Sequence, residues 1–375
     1  MPAPMNLFLT CPPGLEPVLA QEAEALGLPG PKPEAGGIVI HGHWNTVYKA
    51  NLWLRGATRV LIRMSAFRAM TLGQLEARLA KVDWERFIGP DVPVRVEASC
   101  KGSRLHHGGA VGTRVQEAVR QGTGAPIAEQ AEGALRLFAR IDDNLCTLSL
   151  DTSGALLHRR GHKQFTGKAP LRETLAALFL RACGYDGTEP VLDPLCGSGT
   201  VPIEAAEIAL GLAPGRDRSF GFEQLPGHDP ARWAAIREDG RRRETPDSAL
   251  RFDGRDRDAG AITGARGNAE RAGVTAITRF EQGAVSALAP PPEGIPGLIF
   301  INPPYGGRIG KVGALKPLYA SIGQVLTERF QGWRVGMITT DAGLAKATGL
   351  PFAPPSAPIP HGGLRIKLWQ TETLG

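Results

Sequence analysis

The sequence predicts an α/β protein, with a doubly wound, mostly parallel sheet in its second half preceded by an α+β region. Three observations carry that expectation. From about residue 170 onward, apolar runs of strand length alternate with helical stretches, the order that parallel sheets require. One of these runs ends at Asp193 and passes through Gly197, Ser198 and Gly199 into a helical pattern, as at the carboxyl edge of such a sheet. Before about residue 160 the pattern instead mixes alternating strands with isolated helices.

Leu7-Phe8-Leu9 opens a small β-α-β unit over residues 6 to about 50. It has a helix from Leu15 to Leu26 and a second apolar run at Ile38-Val39-Ile40 after Gly36-Gly37. Between about 51 and 160, Arg59 to Arg63 and Val94 to Ala98 alternate like strands, and Thr113 to Gln121 reads as a helix. Leu135 to Ile141 and Cys146 to Leu150 form a hairpin turning at Asp143-Asn144. In the second half, helices are expected over Ala169 to Gly184, Val201 to Leu212 and Ala261 to Ala272. Strands are expected at Pro190 to Asp193, Leu250 to Asp253, Thr278 to Glu281, Leu298 to Ile301, Arg334 to Thr340 and Leu364 to Gln370. The proline-rich stretches 289–296 and 351–360 read as loops.

At 375 residues, 42% of them hydrophobic, the chain is long enough for two or three domains with a sizeable core. A formal charge of +6 suits a polyanionic partner but gives it only weak support. Cys11, Cys100, Cys146, Cys183 and Cys196 are scattered and lack C-x-x-C spacing, so neither a disulfide framework nor a metal site is expected. The start of the chain lacks a basic segment followed by a long apolar core, and no apolar run approaches a membrane span. A cytoplasmic protein without a membrane partner is the expectation.

The loop Asp193-Pro-Leu-Cys-Gly-Ser-Gly-Thr200 is a candidate donor pocket. Its glycines let a ligand approach the backbone, and Pro202 falls in the first helical turn, where a missing N–H costs little. Pro202 also breaks the dinucleotide fingerprint. Gly161 to Lys168 is one residue too long for a P-loop, and Ala169 replaces the hydroxyl residue, which disfavours nucleotide hydrolysis. The Asp193 carboxylate suits an ammonium, directly or through water, matching the methionine end of S-adenosyl-L-methionine. Asp256, after the strand near Phe252, suits ribose hydroxyls. Taken alone, the Gly-Ser-Gly turn is equally explained as a link between strand and helix.

About 100 residues later Asn302-Pro-Pro-Tyr305 follows the apolar run Leu298 to Ile301. The Asn302 side-chain carbonyl and the Pro303 backbone carbonyl can both accept hydrogen bonds from an exocyclic amine, and Tyr305 offers a stacking face. Pro303 and Pro304 stiffen the loop, so the acceptors are preorganised. A proline-rich turn with a core-facing tyrosine is the plainer explanation of the tetrapeptide alone. In sequence with the donor loop, the two motifs read as a methyl-donor pocket followed by a clamp for a planar amino group.

At these residues the chain resembles the bacterial 23S ribosomal RNA guanine-N2-methyltransferase family, S-adenosylmethionine enzymes that carry a THUMP RNA-binding domain. The likeness extends through Thr10 to Leu15, Ala50 to Arg55, Leu157 to Gly161, Ala169 to Glu173, the donor loop, Phe220 to Glu223 and Asn302 to Arg308. It implies a ferredoxin-like segment over 1–50, a THUMP domain over 51–163 and a Rossmann-like class I methyltransferase domain over 164–375 with a seven-stranded sheet. It carries donor-binding roles onto Asp193, Gly197, Gly199 and Asp256, with Pro194, Cys196 and Thr200 in the same loop. Base-binding roles fall on Asn302, Pro303 and Tyr305, with Pro304 in the same catalytic tetrapeptide, and Phe165 with Ala169 to Arg172 is implied near the methionine moiety. Two departures concern the donor side. Ala284 stands at or near the place of the usual adenine-binding aspartate, which shifts that role toward backbone groups or Gln282. Arg257 stands where an apolar residue usually meets adenine.

Arg159, Arg160, Lys163, Lys168 and Arg172 lie between His158 and Arg172 without an intervening carboxylate, a run suited to RNA phosphates. Lys101, Arg104 and Arg114, with His106 and His107, form a second candidate RNA surface. Neither histidine has metal-ligand spacing, Arg241 to Arg243 reads as a solvated mixed-charge segment, and Cys196 reads as a packing residue. The resulting expectation is methyl transfer to guanosine N2, in 23S rRNA or a ribosome-assembly intermediate, with no metal. Adenine N6 in DNA, a transfer RNA guanosine or a protein glutamine remains an alternative acceptor, and a non-catalytic RNA-binding role is a further one.

Overall fold

A computed structural model describes residues 4–130, 132–167, 171–245, 248–292, 294–306 and 312–375. Lys168, Ala169, Pro170, Gly307 and Arg308, which belong to motifs singled out above, lie outside the described residues. The chain divides into two compact units. The first takes the residues up to Cys11, Ala23–Leu157 and Asp217–Glu238, and the second takes Pro12–Glu22, His158–Arg216 and Asp239–Gly375.

Elements of the first half are β1 (Met5–Thr10), α1 (Glu16–Ala25), β2 (Lys32–Glu34), β3 (Gly37–Gly42), α2 (Trp44–Trp53), β4 (Arg59–Arg68), α3 (Leu72–Leu79), β5 (Val94–Lys101), α4 (Gly108–Thr123), β6 (Leu135–Asp142) and β7 (Leu145–Asp151). Their strands form one sheet in the order β2-β3-β1-β4-β7-β6-β5. β1 is antiparallel to both β3 and β4, so the initial strand-helix-strand segment is not a parallel crossover. Pairing of β4 with β7 carries the sheet on without a break into the strands of the middle region. Along β6, Leu135, Leu137, Ala139 and Ile141 alternate into the core, the period-2 signature that made the strand legible. The hairpin between β6 and β7 turns where expected. Asp143 and Asn144 both have positive φ, 47° and 61°, as a two-residue hairpin turn requires.

The second half contains α5 (Glu173–Ala182), β8 (Val191–Asp193), α6 (Thr200–Ala209), α7 (Pro230–Arg242), β9 (Phe252–Asp256), α8 (Ala259–Ala272), β10 (Thr278–Gln282), β11 (Leu298–Ile301), α9 (Val312–Arg329), β12 (Arg334–Thr339), α10 (Ala342–Ala347), β13 (Ile359–His361) and β14 (Leu364–Gln370). The sheet order is β10-β9-β8-β11-β12-β14-β13. Its first five strands are parallel. β14 runs antiparallel to β12 and to β13, giving the mostly parallel seven-stranded sheet expected from the sequence. The chain steps outward from β8 to β10 and then returns to place β11 against β8, with Val191 opposite Leu298 and Leu192 opposite Ile299. That reversal is a topological switch point, where open sheets form a crevice at their carboxyl edge.

Several elements were not expected. β13 lies in a stretch read as a loop because of its prolines, but it is the edge strand, where Pro360 sacrifices no central ladder bond. α9 carries Pro317 within it, which weakens a helical reading, while Tyr319, Ile322 and Leu326 on one face are buried. Of α7 only Trp233 and Gly240 are buried, so its apolar stripe is too thin to read.

Candidate active site

The switch point sets the loop after β8 beside the loop after β11. Two glycines shape the first. Gly197 and Gly199 have φ of 51° and 77°, in the left-handed region that favours glycine. They differ in what surrounds them. A Cβ on Gly199 would stand 2.9 Å from the Phe280 ring and 3.0 Å from the Ala265 methyl, whereas one on Gly197 would meet nothing within 4 Å among the described residues. Gly199 is therefore a packing glycine, whereas Gly197 borders open space.

The electrostatics of this loop come from two aspartates. Asp193 is 2% exposed and accepts a bond from Leu195 N at 3.0 Å. Burial pushes its carboxyl up to about 8, the Leu195 N–H acts the other way, and the Asp256 charge adds to the rise. A carboxyl in that condition is short of a cation. Asp256 Oδ2 accepts from Gly197 N and Oδ1 from Asp258 N, both at 3.0 Å, so each oxygen keeps acceptor capacity for a hydroxyl. Cys196 packs against Gly254, where a Cβ would lie 2.9 Å from its sulfur, and burial raises its thiol well above the ordinary value. Pro194 and Thr200 are buried in the same loop.

Gln282 is the parallel register partner of Asp256. Its Nε2 donates to the Arg257 carbonyl at 3.0 Å, which leaves Oε1 as an acceptor. Arg257 and Ala284 are exposed.

The second loop, after β11, carries Asn302 to Tyr305. Asn302 Oδ1 is buried and has no hydrogen-bond partner among the described residues. No described hydrogen bond takes the Pro303 carbonyl either, whereas the Pro304 carbonyl accepts from the Tyr319 hydroxyl at 3.1 Å. Tyr319 is fully buried on α9. The Tyr305 carbonyl accepts from Thr340 Oγ1 at 3.2 Å. Loop geometry is thus fixed through Pro304 and Tyr305, and the two acceptors named from the sequence have no partner among the described residues. Leaving a buried carbonyl unpaired costs about 1–3 kcal/mol, so an amine donor that fits has a ready energetic return. Tyr305 itself is 9% exposed, so the stacking face expected of it is narrow.

Two of the cations assigned to RNA need correcting. Arg160 is 5% exposed and ion-paired to Glu204 and Glu207 of α6. Burial opposes its charge and the two glutamates more than offset that, holding the guanidinium above its ordinary value. Lys163 is also inward, with Nζ 2.7 Å from the Leu171 carbonyl, 2.8 Å from Thr200 Oγ1 and 3.3 Å from Glu173 Oε1. Neither offers a free cation to phosphate. The sequence showed a basic run without carboxylates, but its counter-charges lie on α5 and α6, which only folding brings near. His158 in the same run is driven down to about 4 by burial and by Arg172, Arg159, Lys163 and Arg160, so it is neutral at physiological pH. Arg159 and Arg172 are exposed. Lys101, Arg104 and Arg114 are exposed, and Arg114 is paired with Glu76 at 2.6 Å. His106 and His107 are exposed with ring centroids 4.1 Å apart. Among the described residues no cluster of His, Cys, Asp and Glu fits a metal ion, and no helix is long and apolar enough to cross a membrane.

Arg160→Met should cost about 3–5 kcal/mol, seen as a lower urea midpoint, because it strands buried carboxylates. RNA affinity of the folded protein should not change.

Residues 160–351 match the family described as RMKL-like, methyltransferase domain. The chain belongs to this family. Residues 6–61 match the RlmL ferredoxin-like domain as well, in agreement with the resemblance read in the sequence. A Syntrophotalea carbinolica protein named ribosomal RNA large subunit methyltransferase K/L is 38% identical over 364 residues, 93% of this chain and 51% of that protein. The chain therefore spans about half the length of most of the curated relatives it matches. A Synechocystis sp. protein, slr0064, provisionally named an RNA methyltransferase, is 33% identical over 97% of this chain and 96% of its own length. Among solved structures, SMU.472, provisionally named a methyltransferase and crystallised with SAH, is 27% identical. It superposes with a TM-score of 0.91 over 100% of this chain and 99% of that one. The class I methyltransferase fold of the second unit is thereby established.

Sequence reasoning passed over Asn268, Lys163 as a buried group, and Tyr319. A signal for the first was present. Asn268 stands on α8 in register with Ala261, Ala265 and Ala272, all buried, and a polar residue on such a stripe needs partners.

Proposed function

We propose that the protein is an S-adenosylmethionine-dependent RNA methyltransferase that modifies the exocyclic N2 amine of a guanosine in 23S rRNA. The buried Asn302 Oδ1 next to the Pro303 carbonyl, neither with a partner among the described residues, carries this reading. The names of the relatives support the choice of RNA as substrate, and the SAH-bound relative supports the donor.

The residues present fit the donor. Asp193 offers a buried carboxylate to its ammonium, Asp256 retains acceptor capacity for ribose hydroxyls, and Gly197 leaves room for its close approach. When bound, S-adenosylmethionine supplies a methyl group on a positively charged sulfur. Asn302 Oδ1 and Pro303 O accept the two N–H bonds of the amine, which turns the nitrogen lone pair out of that plane and toward the donor side. Orientation of this kind replaces a strong general base, since the proton leaves after the new C–N bond has made the nitrogen acidic. The target base must be unpaired or flipped, because an amine within a duplex cannot reach the clamp. In the same reading, residues 1–50, 51–163 and 164–375 act as ferredoxin-like, THUMP-type RNA-binding and catalytic segments. Lys101, Arg104, Arg114 and Arg159 are then the candidate phosphate contacts.

Nucleoside mass spectrometry of separated RNA classes, from cells with and without the protein, tests the reading. Loss of N2-methylguanosine from large-subunit RNA is the expected result. Loss from transfer RNA, or of N6-methyladenine from DNA, would reassign the acceptor. Intact modification in every pool would overturn the enzymatic reading.

A further inference from the structure

We propose that Asn268 is a positioning residue that locks the donor loop to the segment passing over it, so that donor affinity depends on a side chain outside both motifs. The inference rests on the donor pocket proposed above. Asn268 is 0% exposed, yet its amide is fully employed. Oδ1 accepts from Gln164 N and Phe165 N, each at 3.2 Å, and from Arg271 Nη2 at 2.5 Å. Nδ2 donates to Phe165 O and to Ser198 O, each at 3.0 Å. One amide thus joins three parts of the unit: α8, the segment 162–165 and the centre of the Gly197-Ser198-Gly199 turn.

The need for such a lock follows from the turn itself. Glycines on both sides of Ser198 give this turn more conformational freedom than residues with a Cβ would, and a donor gains affinity when the loop is already ordered. The Ser198 carbonyl is pinned by a buried donor that water does not replace. At the same time Phe165 is laid across α8, where a Cβ on Gly264 would come within 2.3 Å of its ring. Arg271 reinforces the segment by donating from Nε to His162 O at 2.7 Å. Only a primary amide serves here, because the site asks one end of the side chain to accept from three donors and the other end to donate twice. A carboxylate would face the Ser198 and Phe165 carbonyls with no proton to offer. A leucine would keep the volume and lose every bond.

Two variants and one ligand test this. Calorimetry with S-adenosylhomocysteine is run on the intact wild-type chain, Asn268→Leu and Gly264→Ala, with hydrogen exchange of the free proteins as the second measurement. Wild type should bind. Asn268→Leu should raise Kd on the order of tenfold, as for other groups that hold a binding group in place, with faster exchange confined to 162–166 and 196–199. Gly264→Ala keeps the amide and displaces the Phe165 ring. It should raise Kd by a smaller factor and speed exchange only at 162–166, and it decides the matter should Asn268→Leu not fold. Unchanged Kd in a folded Asn268→Leu protein, or, where that variant does not fold, in Gly264→Ala, overturns the proposal while leaving the donor pocket standing. Failure of wild type to bind overturns the donor pocket itself.

Discussion

Asn302→Ala is expected to lower methyl transfer by about 10²-fold or more while leaving the Kd for S-adenosylhomocysteine unchanged. The substitution removes one of two preorganised acceptors for the amine, and loss of one such group at a reacting centre costs about 10²–10³ in rate. It removes nothing from the donor loop, since Asp193, Gly197 and Asp256 make their contacts without Asn302. It also eliminates a buried carbonyl that has no partner among the described residues, so the free protein should be no less stable and its unfolding midpoint should hold or rise. The decisive measurement is N2-methylguanosine in RNA from cells carrying only the variant. Full modification there would remove the clamp from the mechanism. Impaired binding of S-adenosylhomocysteine would mean that the loop shapes the donor pocket instead.

The second large effect concerns Asp193 and protons. Its ordinary value is 3.8, and burial holds it at about 8 in the folded protein. A carboxyl raised by folding contributes stability that is fully present below its unfolded value and is lost as pH rises through its folded value. The free protein should therefore lose stability between about pH 4 and pH 8 from this group. Asp193→Asn keeps an oxygen for the Leu195 N–H and cannot ionise, so it should flatten that window and stand roughly 1–3 kcal/mol more stable at pH 8. Chemical denaturation at pH 5 and pH 8 checks this. A ligand ammonium beside Asp193 favours the carboxylate, so at pH 7 wild type should expel a proton on binding S-adenosylhomocysteine. Binding enthalpies should then differ between buffers with different ionisation heats, and should differ less for Asp193→Asn, which should also bind more weakly. Identical wild-type enthalpies in both buffers would separate Asp193 from the ligand's ammonium.

The two effects place their demands on different parts of the sequence. Asn302 to Tyr305 and Asp193 to Thr200 were legible because each is a contiguous string at the end of an apolar run, and short strings at strand ends keep their meaning whatever the remainder of the chain does. Strands β11 and β14 were read to their ends for the same reason: Leu298–Ile301 is apolar throughout, and Leu364–Gln370 is bounded by glycines on one side. α9 was missed because Pro317 interrupts its pattern, and β13 because Pro360 excludes it from any strand except one at an edge, a position that sequence does not disclose. Arg160 and Lys163 were misassigned for a related reason. Their partners are Glu204, Glu207 and Glu173, distant along the chain, so a run that looked like a free cationic surface is largely neutralised inside the fold.

By itself, then, the sequence determined the alternation of strands and helices, the presence of a glycine turn after β8 and of paired acceptors after β11, and the family to which the chain belongs. Those properties are local, set by side-chain period, by φ restrictions at Gly and Pro, and by which atoms each residue offers. Tertiary structure decided which of these groups meet and which are already satisfied. The strand order brings β8 and β11 side by side and so unites the two loops. Burial raises Asp193, α9 pins the Pro304 carbonyl and leaves that of Pro303, and α8 supplies the Asn268 amide to Ser198. Each of these depends on partners distant in sequence, and the free energy of a polar group is set by whether such a partner reaches it before water does.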